Sequence, residues 1–192
     1  HETSELAGIG ITDGRIATIG DVTAAQGKEN IDATGLTILP GVIDTQVHFR
    51  EPGIEHKEDL QSGSLAAVMG GVTGVFEMPN TKPPTTTLEA VRDKVARATD
   101  RMHCDFAFYV GGTHENAAEL PELEKMAGVC GVKVFMGSST GNLLVPDDDG
   151  VADILRFIGR RAAFHSEDEF RLRERRELAE TGKVETHPVW RD

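Results

Sequence analysis

Apolar and polar positions along this chain follow two rhythms, and the change falls at Pro40. Before it, Gly8-Ile9-Gly10-Ile11-Thr12 and Arg15-Ile16-Ala17-Thr18-Ile19-Gly20 alternate about Asp13-Gly14, a dipeptide that favours a hairpin turn. A further strand is predicted over Ile31 to Leu39, giving a small β unit over residues 1–40. After Pro40, short apolar runs fall at about 41–49, 72–78, 104–111, 129–136 and 161–166. Helical periodicity fills about 58–70, 87–100, 114–127, 148–159 and 167–180 between and after them. This alternation predicts parallel strands joined by right-handed crossovers over residues 41–192. Chemistry in parallel barrels gathers where strands end, so polar residues at those ends become the candidates.

Composition narrows the classes of partner. A chain of 192 residues with 39% apolar content can bury a core. A net charge of -12 argues against nucleic acid or an anionic membrane as the main partner, because phosphate binding needs a basic surface. Small-molecule or protein partners remain, and no apolar run approaches the roughly 20 residues that span a bilayer, so a soluble, cytoplasmic protein is expected. Cys104 and Cys130 lack a zinc-type spacing and read as two reduced, partly buried thiols.

The strand ends carry an informative set of side chains. Asp44-Thr45-Gln46-Val47-His48-Phe49-Arg50-Glu51-Pro52-Gly53 closes the first barrel strand and Met78-Pro79-Asn80 the second. His165 and Glu167 close the fifth, and Lys133 lies inside the apolar fourth, Gly131-Val132-Lys133-Val134-Phe135-Met136. Burying an ammonium is costly, so Lys133 calls for a partner. A lysine carboxylated by carbon dioxide would be an anionic ligand between two cations; one that snorkels to the strand end is the simpler alternative. Asp147, Asp148 and Asp149 read most simply as the acidic start of a helix, and His56 to Asp59 as another.

Taken together, Pro40-Gly41-Val42-Ile43-Asp44, His48-Phe49-Arg50-Glu51-Pro52-Gly53, His56-Lys57-Glu58-Asp59, Gly70-Gly71-Val72-Thr73 and Met78-Pro79-Asn80-Thr81-Lys82-Pro83 resemble dihydroorotase of the amidohydrolase superfamily. The resemblance implies a (β/α)8 TIM-type barrel with a small β-sandwich portion. It also implies zinc-dependent, reversible hydrolysis of L-dihydroorotate to N-carbamoyl-L-aspartate in pyrimidine biosynthesis. In that pattern His48, Lys133 and His165 match ligands of one or two zinc ions, Lys133 matching a lysine that many members carboxylate to bridge two metals. Arg50 and Asn80 match residues that hold the substrate's carboxylate, and favour dihydroorotase over hydantoinase.

Two departures from the family pattern stand out. Gln46 occupies the place of the first histidine of a His-x-His pair, and a neutral amide is a poorer zinc ligand than imidazole. Asp147 to Asp149 are a fallback source of bridging carboxylate. Five strand and helix units, against a closed barrel of ~250 residues, predict an incomplete barrel, with the general acid and base aspartate beyond this chain. Two other readings fit the same residues: a catalytically weakened homologue serving as structural partner of aspartate carbamoyltransferase, and a hydantoinase or allantoinase. A homo-oligomer is expected in each case.

Overall fold

The computed structural model describes residues 6–23, 27–139 and 141–191. The chain divides into two compact units, His1–Pro40 and Gly41–Asp192. In the first, β1 (Gly8–Thr12) and β2 (Arg15–Gly20) pair antiparallel about Asp13-Gly14, whose positive φ angles of 51° and 71° suit the tight turn. The strand predicted over Ile31 to Leu39 does not form. Asp32 instead accepts the Thr34 N–H at 2.9 Å, and Leu36 N–H closes a turn on Ala33 O with Gly35 at φ 79°. Local side-chain capture of the backbone has won over β propensity there. Among the described residues this unit is a two-stranded hairpin, and no β-sandwich is seen.

The second unit is a curled parallel sheet with strand order β3 (Val42–Val47), β4 (Val72–Glu77), β5 (Asp105–Gly111), β6 (Val129–Phe135) and β7 (Ala162–His165). The strands are joined through α1 (Leu60–Met69), α2 (Leu88–Ala98), α3 (Leu120–Leu123) and α4 (Asp148–Phe157), and α5 (Glu169–Glu180) and α6 (His187–Arg191) follow β7. Capping chemistry fixes the helix starts: Asp59, Thr87, Asp147 and Asp168 each accept a backbone N–H three residues on. The helix predicted over 114–127 shrinks to a 3-10 turn, Ala117–Glu119, followed by α3. Asn116 is the reason, since its amide donates to Thr86 O and Gly111 O at 2.8 Å each and ties the segment to the sheet. Pro121, lacking an N–H, sits in the first turn of α3, where its loss costs nothing.

The helices cover one face of the sheet. Val91, Val110, Leu120, Val132, Val134 and Ile154 form one buried cluster there, and Phe49, Leu60, Val75, Ala98 and Phe108 a second. Met78, Tyr109 and Cys130 make a smaller cluster with Phe76, Ala107 and Ala163. Strand alternation assigns that cluster to the opposite, inner face. One irregularity matters for the inner face. Between β5 and β6 the register slips, Phe108 pairing with Val129 and Tyr109 with Gly131, so Cys130 is an inserted residue. The bulge resets the alternation so that Lys133 and Phe135 face inward while Val132 and Val134 pack on helices. Both cysteines are free, and burial pushes the Cys130 thiol up to about 12.

Candidate active site

All five strands of the second unit are parallel, so their C-terminal ends share one rim. His48 leaves β3 at that rim, half-buried, with Nδ1 3.0 Å from the Asn80 Oδ1 that follows β4. Asn80 can only accept through that oxygen, so the imidazole proton lies on Nδ1 and Nε2 keeps its lone pair. Burial, the neighbouring Arg50 charge and, more weakly, the Lys133 and Lys94 charges hold the His48 pKa below the ordinary imidazole value, against the raising effect of Asn80. The lowered pKa favours the neutral ring, and a side chain just beyond the next strand orients it.

Two anchors fix the segment on which His48 and Arg50 ride. Phe49 packs into the cluster with Leu60, and α1 comes so close that a Cβ on Gly63 would sit 2.4 Å from its ring. Glu51 is buried at 4% exposure, accepts the Leu60 N–H at 3.1 Å and receives both terminal nitrogens of Arg101, at 2.8 and 3.2 Å. Burial raises the Glu51 pKa, but Arg101, the Leu60 N–H and Arg97 outweigh it and hold the carboxyl below its usual range. Folded Glu51 therefore binds its proton less tightly than the unfolded chain. Its stabilising contribution is complete above the ordinary value of about 4.3 and is lost as pH falls toward the depressed one. Glu51→Gln is expected to flatten the fall in Tm between about pH 5 and about pH 3, measured by thermal melts across that range; an unaltered pH profile would contradict the assignment.

Arg50 adopts a left-handed backbone conformation, φ 67°. Its guanidinium makes no ion pair or side-chain hydrogen bond among the described residues, although its charge reaches His48. Lys133 pairs in register with Gly111 on β5 and Ala163 on β7. It is 2% exposed, its ammonium lies 5.0 Å from the Phe135 ring, and burial lowers its pKa. No carboxylate partners it among the described residues. His165 ends β7 stacked on Phe135, with centroids 6.0 Å apart, and its Nε2 is joined to the Glu167 carboxylate. Arg191 holds that carboxylate in turn, Nε to Oε2 at 2.7 Å.

The structure thus brings His48, Arg50, Asn80 and Lys133 into one electrostatic neighbourhood and places His165 with Glu167 on the far edge strand of the same rim. A cavity of about 420 Å³, lined by Met136, Asp147, Glu167 and Phe170 among others, opens between the start of α4 and the segment that follows β7. Gln46 is exposed on β3. Asp147, one of the fallback carboxylates, caps α4 through Gly150 N–H at 2.8 Å and meets His114 Nε2 at 3.1 Å; Asp148 and Asp149 lie in the first turn of α4. Among the described residues no three His, Cys, Asp or Glu side chains form a group able to hold a metal ion.

Sequence reasoning missed a buried ion pair behind this rim, between Glu77 and Lys94. Two signals were present. Glu77 interrupts the apolar run Val75-Phe76-Glu77-Met78, and Lys94 falls on the same helical stripe as Val91, Val95 and Ala98.

Comparison with known proteins places these features in context. The family model described as dihydro-orotase-like matches residues 35–140. The chain is 40% identical over 160 residues to an allantoinase of Rubrobacter xylanophilus, covering 83% of this chain and 34% of that protein. It is 38% identical over 173 residues to a dihydroorotase of Methanosarcina mazei, covering 88% and 38%. It is also 38% identical over 148 residues to an L-hydantoinase of Paenarthrobacter aurescens, covering 75% and 32%. Among solved structures, L-hydantoinase from Arthrobacter aurescens superposes with a TM-score of 0.83 at 32% identity, covering 93% of this chain and 41% of that one. The chain spans about a third of the length of the curated relatives it matches.

Proposed function

Because this chain belongs to the dihydro-orotase-like family, we propose that it supplies part of the barrel of a metal-dependent cyclic amidohydrolase whose substrate is L-dihydroorotate. The observation that carries the reading is the neighbourhood of His48, Arg50, Asn80 and Lys133 at one rim of a parallel sheet. Allantoinases, hydantoinases and dihydroorotases all appear among the relatives, so the choice of substrate rests on Arg50. An arginine with no acidic partner among the described residues suits a ring bearing a carboxylate, which a guanidinium can grip through two hydrogen bonds.

The donor set fits zinc in part. His48 offers a neutral imidazole whose Nδ1–H is already committed to Asn80, the arrangement that orients a ligating histidine. Lys133, with its proton affinity lowered by burial, is suited to attack carbon dioxide through its amine lone pair, releasing one proton and leaving an anionic carbamate. His165 is the third proposed ligand, and it would exchange its Glu167 contact for the metal or ligate through Nδ1. Zinc, when bound, supplies a Lewis acid for the ring amide and a nucleophile from water near neutral pH. Arg50 binds and orients the substrate's carboxylate, and Asn80 keeps His48 in place.

The test is Arg50→Ala in the intact protein. Losing one partner of a buried charge pair costs about 2–5 kcal/mol, so kcat/KM for dihydroorotate is expected to fall roughly 30-fold or more. Turnover of hydantoin, which has no carboxylate, should change little. Equal losses on both substrates, or none on dihydroorotate, would remove the carboxylate assignment and favour a hydantoinase or allantoinase. Association with aspartate carbamoyltransferase is the second reading, favoured by Gln46 in place of an imidazole. Intact protein that retains no zinc would support it.

A further inference from the structure

The most deeply buried charges in the parallel-sheet unit are ones the proposed chemistry does not use. Lys94 is 0% exposed in the middle of the apolar stripe of α2, and Glu77, the last residue of β4, is 1% exposed. An apolar pair of equal volume would fill that space without the desolvation cost, so packing alone does not account for them. Glu77 Oε2 meets Lys94 and accepts no hydrogen bond among the described residues, and the ammonium reaches on to the rim. Lys94 Nζ donates to the Met78 carbonyl at 2.9 Å and pairs with the Glu77 carboxylate. Burial raises the Glu77 pKa, opposed first by Lys94 and more weakly by the backbone N–H groups of Arg50 and Phe49. Met78 N–H in turn donates to Val47 O at 3.0 Å, closing the connection between the two strand exits.

One helical side chain therefore reaches, through one carboxylate, both segments that carry His48, Arg50 and Asn80. Arg50 needs such a hold, because a left-handed conformation is uncommon for a residue with a Cβ and persists where its surroundings over-determine it. The geometry points to Glu77 and Lys94 as positioning residues that lock the exits of β3 and β4 in the alignment the site requires. This inference rests on reading the rim as a cyclic amidohydrolase site. It adds to that reading two residues which touch neither substrate nor metal.

The deciding variant in the intact protein is the double substitution Glu77→Leu with Lys94→Met, since either single truncation strands a buried charge and endangers folding. Three quantities are read: Tm, amide hydrogen exchange of the metal-free protein, and kcat and KM for dihydroorotate. The double variant is expected to fold with Tm near or above wild type. Exchange at Phe49 and Arg50 should become about 10–100-fold faster, the loss of a hydrogen bond to a charged acceptor, while Val132 and Val134 in β6 stay protected. On the scale of a lost orienting partner, kcat should drop about 10–100-fold. Unchanged exchange at Phe49 and Arg50 in the folded double variant overturns the proposal, and so does a double variant that cannot fold, which would make the pair part of the core's integrity. Wild-type protein that neither binds zinc nor hydrolyses a cyclic amide overturns the functional reading instead. The exchange measurement still decides on its own whether the pair holds the rim.

Discussion

Intact protein carrying His48→Ala is expected to lose zinc and turnover together while keeping its fold. His48 is half-buried at a strand exit and belongs to none of the apolar clusters, so its removal opens no core cavity. Its neutral ring and its Nδ1 bond to Asn80 leave Nε2 as a ready ligand. Loss of an orienting partner alone costs about 10–100-fold in metal affinity or activity, and loss of the ligand itself should exceed that, so kcat/KM should fall by roughly 100-fold or more. Metal content by elemental analysis and steady-state kinetics on the same sample read both effects. Asn80→Ala separates the two roles open to Asn80. A drop in zinc affinity identifies it as the residue that orients His48, whereas a rise in KM with zinc retained identifies it as a substrate contact. Wild-type zinc content in His48→Ala would withdraw His48 from the ligand set.

The second large effect is on stability. Lys94→Ala is expected to cost about 3–5 kcal/mol, because removing one partner leaves the other charge buried and uncompensated. Burial pushes Glu77 up and Lys94 down, each opposed by the other's charge, and only together are they tolerable at less than 2% exposure. Lys94 also gives up its bond to Met78 O and its contact with the Phe108 ring at 5.2 Å. Urea denaturation should show the loss as a lower midpoint at near-constant slope. A shift corresponding to under about 1 kcal/mol would mean that the stranded Glu77 takes up a proton or water at little cost.

The difference between these two predictions follows what each residue type reveals in one dimension. His48 and Arg50 are visible because they end an apolar run in a chain whose rhythm alternates strand and helix, and strands so arranged put their ends on one rim. Lys133 is visible because an ammonium interrupts Gly131-Val132-Val134-Phe135. That it faces inward, however, depends on the inserted Cys130, and a bulge leaves no mark in the apolar pattern. Glu77 and Lys94 are each odd in their own segment, yet nothing in either segment names the other. The predicted strand at Ile31 to Leu39 gave way because Asp32 captured a backbone N–H within it, and the predicted long helix at 114–127 starts late because the Asn116 amide is tied to Thr86 O and Gly111 O outside it.

What the sequence determined by itself was the alternation of buried strands and covering helices, the acidic helix starts at His56 to Asp59 and Asp147 to Asp149, and the rim on which polar side chains would collect. These are local properties, set by period, by propensity and by hydrogen bonds a few residues long. Only the tertiary structure decided that Asn80 would orient His48, that Glu167 would meet His165, and that Lys94 would reach from α2 to the exits of β3 and β4. Those pairings join residues on different elements, and their energies depend on burial and on the exact approach of two side chains. A periodic pattern records which face a residue occupies, whereas the partner it finds there is settled by how the faces are brought together.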